Sequence, residues 1–174
     1  MDNFVEQLVK KNETGADKTK RIVLTIIGIL IAAVLVLMGF LQAGRPTLML
    51  LDFVLAVAAG FGTYCIVQNT YVEYEYTFTN GDLDVDKIIA KKKRKEMLST
   101  SIRQFTDFGK YDDSMEEADG MTVIMATDNI ASHEYYADFT DETVGPARLI
   151  FVPDERMLEN ITKFLPAKIR AKQQ

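Results

Sequence analysis

The residues best suited to chemistry in this sequence are charged, and the densest group is basic. Lys91, Lys92, Lys93, Arg94 and Lys95 run consecutively, with Lys87 four residues before them and no acid between. Such a cluster makes a positive field whose chemical complement is a polyanionic surface. In a segment held against an anionic leaflet, each such residue gains about 1 kcal/mol, an effect that dies away within a Debye length. These six residues form the candidate site, an anionic-membrane contact. The run has a plainer reading as well: a charged hairpin tip that keeps a sheet edge from pairing with its neighbours.

The acids are arranged less specifically. Asp82-x-Asp84-x-Asp86 has the opening spacing of a calcium loop, but that loop needs Gly at its sixth position and Glu at its twelfth, where Lys87 and Lys93 stand. The same spacing puts all three carboxylates on one face of a strand. Asp112, Asp113, Glu116, Glu117 and Asp119 have no ordered ligand pattern and read as a solvated loop. His133 is the sole histidine, too few for a typical zinc site, and its parity with Tyr135 and Phe139 predicts a partly buried ring. Ser132, His133 and a nearby acid allow a membrane-tethered hydrolase on paper, without any nucleophile-elbow signature. Neither GxxxxGK[ST] nor GxGxxG occurs, so nucleotide use has no support. The expectation is a non-enzymatic protein without cofactor, metal or catalytic residues.

What positions the basic run is an apolar block from Ile22 to Val67, interrupted only at Gln42–Pro46. Ile22–Leu41 has no charge and no polar stripe, and about twenty apolar residues suffice to cross roughly 30 Å of hydrocarbon. Thr47–Val67 is similar but carries Asp52, close enough to its start to reach the interface and pair with Arg45. A transmembrane helical hairpin follows, with Gly44 and Pro46 supplying the turn. Small residues four apart let helices approach: Gly28 and Ala32, Ala56 and Gly60, Ala59 and Thr63. They suit either the hairpin or a homo-oligomer. Lys18, Lys20 and Arg21 precede the first span, and only Arg45 lies between the spans. The positive-inside rule then places both termini in the cytoplasm of a two-span cell-membrane protein.

Charge is divided unevenly along the 174 residues, whose net charge is −5. Met1–Thr70 has six basic and five acidic residues, and Tyr71–Gln174 has fourteen and twenty. An acidic domain argues against nucleic-acid binding. The single cysteine, Cys65, gives no disulfide framework, as suits a reducing compartment.

Before the hairpin, Phe4, Val5, Leu8 and Val9 fall at i, i+1, i+4, i+5 and predict a short amphipathic helix over Met1–Lys11, with Asn12–Lys20 as linker. After it the period changes to two. Val72, Tyr74, Tyr76 and Phe78 share one face of a strand, Asn80-Gly81 is a hairpin turn, and Leu83 and Val85 face inward on the return. Further strands are predicted at Lys95–Ser99, through Phe108, at Met121–Thr127, Ser132–Thr140 and Arg148–Val152, with an irregular piece at Ser101–Phe105. Asp154 caps a helix whose apolar face is Met157, Leu158, Ile161, Phe164 and Leu165, and Pro166 ends it before a polar tail.

The fold class is thus a membrane α-helical hairpin plus an α+β, mainly-β domain over residues 71–166: a bent antiparallel sheet or partly open barrel of about seven strands, capped by a C-terminal helix. The run Tyr-x-Phe-Thr-Asn-Gly-Asp-Leu-Asp-Val (Tyr76–Val85), the basic hairpin, the Ser-Ile-Arg piece at Ser101–Arg103 and Leu-Ile-Phe-Val-Pro-Asp-Glu-Arg-Met-Leu (Leu149–Leu158) resemble bacterial pleckstrin-homology-like domains. The whole chain resembles a family of small bacterial two-helix membrane proteins with such a cytoplasmic domain. That likeness implies a fold and no catalytic residue. The function expected is a membrane-anchored binding or scaffold module that contacts the lipid bilayer, anionic lipid headgroups, a protein partner or a second copy of itself. The alternative is a structural or regulatory subunit of a membrane complex assembling through the hairpin.

Overall fold

A computed structural model describes residues 3–11, 13–112, 114–115, 120–127, 133–141 and 145–172. The chain divides into two compact units: Glu13–Tyr71, and Met1–Asn12 together with Val72–Gln174.

The first unit is the helical hairpin. Helix α1 (Gly15–Leu41) opens on a capping box in which the Thr14 hydroxyl accepts from Asp17 N–H and the Asp17 carboxylate accepts from Thr14 N–H. The linker predicted up to Lys20 therefore ends at Thr14, and the last of it forms the first turns of α1. Helix α2 (Pro46–Gln68) opens with proline at its first turn, where a missing N–H is harmless. Both helices are long and apolar enough to cross a membrane, and only 11% of each apolar window is buried. A core helix of a soluble protein would be covered on those faces; their exposure suits a lipid environment instead.

The hairpin seam is built on small residues. A side chain on Gly28 would meet Thr63 Oγ1 at 2.1 Å, and one on Gly39 would meet Asp52 Cβ at 3.4 Å. Ala32, Ala56, Ala59 and Thr63 are at least half-buried, whereas Gly60 is exposed. Two of the three small-residue pairs thus serve the hairpin in full. Asp52 accepts a hydrogen bond from the Gln42 amide at 2.6 Å, so its partner is Gln42 rather than the expected Arg45. At the base, Arg21 donates to Thr70 Oγ1 at 2.8 Å and to Glu13, and stacks over the Tyr71 ring at 3.7 Å.

The second unit holds two four-stranded sheets. Sheet A is β1 (Phe4–Lys10), β2 (Val72–Thr79), β3 (Asp82–Ile89) and β4 (Lys93–Ser101), in that order and antiparallel throughout. A single 3₁₀ turn at Ile102–Gln104 leads to sheet B, whose strands are β5 (Asp107–Lys110), β6 (Thr122–Met125), β7 (Tyr135–Asp141) and β8 (Gly145–Phe151). Its order is β5-β7-β8-β6, with β6 parallel to β8 and the other pairs antiparallel. Helix α3 (Glu155–Phe164) starts where Asp154 accepts from Met157 N–H at 2.7 Å.

One apolar core joins the sheets and α3: Tyr74, Tyr76, Phe78, Leu83, Val85, Leu98, Phe108, Phe139, Leu149, Phe151, Met157, Ile161 and Leu165 are all buried. Tyr76 ties the sheets together. Its hydroxyl donates to the Ala126 carbonyl at 2.6 Å and accepts from Val152 N–H at 3.4 Å, and burial holds its phenol well above the ordinary tyrosine range.

The fold corrects two further readings. Met1–Lys11 does not supply an amphipathic helix; its described part is strand β1, the edge of sheet A, so it belongs with the second unit. An eleven-residue helix is marginal in water. Paired on β2 instead, the segment completes a ladder and turns Val5, Gln7 and Val9 to the inner face, where the Gln7 amide donates to the Val152 carbonyl at 2.9 Å. The tail after Pro166 is not purely polar either. Helix α4 (Ala167–Arg170) buries Ile169, and Arg170 caps the end of α3 by donating to the Lys163 and Leu165 carbonyls at 2.9 Å.

Candidate functional site

The basic run forms the tip of the β3–β4 hairpin. Its turn closes through Lys92 N–H to the Ile89 carbonyl at 3.1 Å, with Ala90 and Lys91 both at φ 55°. Positive φ at both central residues matches the twist of the flanking strands, so the hairpin stays tight without glycine. Lys91–Glu96 are exposed and Lys87 is half-buried.

Register sorts these side chains onto two faces. Directly paired residues share a face, so Tyr74, Lys87 and Lys95 form one row on the inner side of sheet A, and Val72, Ile89 and Lys93 form the next. The Lys87 amine lies 5.6 Å from the centre of the buried Tyr74 ring, which fixes that face. Arg94 lies on the outer face. It ion-pairs with buried Glu75, and its Nε is 3.6 Å from Asp86. The Glu75 carboxyl is held above its ordinary value chiefly by desolvation, then by a hydrogen bond with Glu6, while Arg94 opposes the shift.

The tip also has a defined place in the chain. Lys10 pairs with Glu73, Val72 with Ile89, and Ile88 with Arg94. The end of sheet A that carries the tip is therefore the end where β1 departs for α1 and β2 begins after α2. Adjacent strands are about 4.8 Å apart, so Lys93 stands two strands, about 10 Å, from Val72. Lys10 and Lys11 join the same end. Sequence reading missed them as part of the site because a helix was expected there; the alternation Val5-x-Gln7-x-Val9 was the available signal.

The other candidates are dispersed. Asp82, Asp84 and Asp86 do lie on the outer face of β3, where Ser99 Oγ donates to Asp84 at 2.6 Å and Asp86 faces Arg94. His133 is exposed rather than partly buried, because it precedes β7 and the strand parity does not extend to it. Ser132 and most of the Asp112–Asp119 cluster lie outside the described residues. A polar network on the outer side of sheet B gave no sequence signal. Arg148 grips Asp138 with two bonds, Nε at 2.7 Å and Nη2 at 2.8 Å, and sits 5.1 Å from the Tyr136 ring. The Tyr136 hydroxyl donates to Asp107 at 3.2 Å. Burial, reinforced by Asp107, raises the Tyr136 phenol, and the Asp138 bonds raise the Arg148 guanidinium. Both shifts keep these groups in their ordinary ionic forms, as a structural clamp between β7 and β8 requires.

Two apolar helices placed between the first and second strands of a two-sheet domain define a membrane protein that carries a PH-like domain. The chain belongs to the family described as "Bacterial PH-like domain (DUF6106)", whose model matches residues 1–171. Neither the curated proteins nor the solved structures contain a match.

Proposed function

We propose that this protein is a non-enzymatic, membrane-anchored binding module whose PH-like domain works at the cytoplasmic face, with both termini in the cytoplasm. The observation that carries this reading is the insertion point of the hairpin. Linkers of four residues (Lys11–Thr14) and three residues (Asn69–Tyr71) connect it to neighbouring strands. Three residues reach about 10 Å at full extension. Both tethers leave one end of one sheet, so chain connectivity alone bounds the reach of that end from the spans. The basic tip projects from the same end.

Charge distribution supports the same orientation. Six of the fourteen basic residues after Thr70 lie in Lys87–Lys95, which has no acid, so the rest of that segment carries eight bases against twenty acids. A domain polarised in this way turns its basic end toward anionic lipid and its body away. The anionic inner leaflet is the partner this favours. The test is reconstitution of the full chain in nanodiscs of neutral or anionic lipid, followed by protease protection of the β3–β4 hairpin. Protection in anionic discs, lost at high salt, is expected. Equal cleavage in both lipids would refute leaflet contact and leave a protein partner as the ligand.

A second reading is favoured by the outer surface of the hairpin. Gly60 is exposed, with nothing within 4 Å of the place a methyl group would occupy, and Ala56–Gly60 is the small pair only half used within the hairpin. As a subunit of a larger membrane complex, the protein would crosslink to a neighbour through this face. Gly60→Leu would abolish that crosslink while leaving the hairpin intact.

A further inference from the structure

Building on the leaflet reading, we propose that the tip has one working face: Lys87, Lys93 and Lys95 engage lipid phosphates as a diffuse charged surface, and Arg94 is a positioning residue that holds the hairpin so this face is presented. The register separates the two roles. At the tethered end the inner rows are Val9-Tyr74-Lys87-Lys95 and Val72-Ile89-Lys93, without an acid. The outer rows are Leu8-Glu75-Asp86-Glu96 and Lys10-Glu73-Ile88-Arg94, an acidic bed that an anionic surface would repel.

Lys87 and Lys95 are direct cross-strand partners. Like charges in that position destabilise a sheet, and among the described residues no acid pairs with either or with Lys93. An anion from outside relieves that repulsion. Half-buried Ile89 shares this face, beside Val9 and Val72 that pack onto the core, so the lysines rim a small apolar patch matched to a bilayer interface. The residue types set the ligand class. Lysine is a mobile point charge, whereas arginine has the planar fork that recognises one phosphate in a fixed geometry. The only arginine of the tip has its fork turned to Glu75 and Asp86. The remaining cations suit a field of headgroups rather than one stereospecific headgroup.

The test uses the full chain with Cys65→Ser and Lys92→Cys carrying an environment-sensitive dye, in nanodiscs of phosphatidylcholine alone or with phosphatidylglycerol. The expected result is a shift of dye emission in anionic discs that salt reverses and that low-millimolar inorganic phosphate at constant ionic strength leaves unchanged. The K93Q/K95Q double variant should lower the docked-to-undocked ratio roughly tenfold or more, at about fivefold per lysine, and flatten its salt dependence, with the melting temperature kept or raised. R94Q should lower docking without changing the steepness of the salt dependence. E75Q releases Arg94 without removing a base. It should weaken docking, although net charge alone would strengthen it, and it decides the issue should R94Q fail to fold. A wild-type dye blind to anionic lipid overturns the leaflet reading and this inference with it. A lipid response that free phosphate displaces, that K93Q/K95Q leaves intact, or that E75Q strengthens overturns this inference alone.

Discussion

Gly81 meets two demands at once. Its φ of +104° is strained for any side chain, and a Cβ there would come within 2.7 Å of Phe164 Cδ1. Gly81→Ala is expected to destabilise the PH-like unit by about 1–3 kcal/mol, read as a lower melting temperature of its β-signal in detergent. Ala90 poses the opposite case, a side chain already at φ 55°. Ala90→Gly relieves that strain, and about 0.5–1 kcal/mol of added stability is expected in the same assay. Glu75 gives the domain a pH dependence of unusual sign. Its carboxyl is raised in the folded state, so the fold binds that proton more tightly than the unfolded chain does. The contribution is favourable at low pH and is lost as pH rises from the ordinary glutamate value through the folded one. Relative to Glu75→Gln, the wild type should therefore lose melting temperature as pH rises across that window; a parallel pair of pH profiles would contradict the assignment.

Strand β1 is the element that most changes the account. Asn80-Gly81, the alternation of Val72–Phe78 and the Asp154 cap were legible in the sequence because each is decided locally, by backbone conformation or by strand parity. The N-terminal segment was not, because Phe4, Val5, Leu8 and Val9 satisfy a helical face as well as a strand, and β2 lies more than sixty residues away. The open edge of β2 settled what local pattern left ambiguous. For the same reason the basic run was visible in the sequence but its two faces were not, since they depend on a bulge between Val85 and Asp86 that resets the β3–β4 register. Val5 is 5% exposed beneath the sheet. Val5→Asp should unpair β1 and cost several kcal/mol, as an unpaired buried charge does, so the domain of the full chain becomes protease-sensitive next to α1. Tyr76→Phe keeps the ring but leaves the Ala126 carbonyl and Val152 N–H without their shared partner. A loss of about 1–3 kcal/mol is expected, seen as earlier melting of the β-signal.

At the scale of the molecule, the hairpin acts as an insertion within a domain. Strand β1 comes before the membrane helices, and the strands it supports come after them, so the PH-like unit can complete its sheet only if both ends of the hairpin emerge on one side. The flanking charges, Lys18, Lys20 and Arg21 against the lone Arg45, point to the same topology, but as a consequence of charge alone. The fold makes it a condition of assembly. A fragment starting at Val72 lacks β1 and exposes the β2 edge, so it should aggregate where the full chain in detergent does not, as light scattering would show. The most direct test of the account is membrane sidedness. Single cysteines replace Glu6, Ala43 or Lys168 in a Cys65→Ser background, and a membrane-impermeant maleimide is applied to right-side-out and inverted vesicles. The account predicts that positions 6 and 168 are labelled only in inverted vesicles and position 43 only in right-side-out ones. Labelling of positions 6 and 168 on opposite sides, or of position 43 on the same side as both, would contradict it.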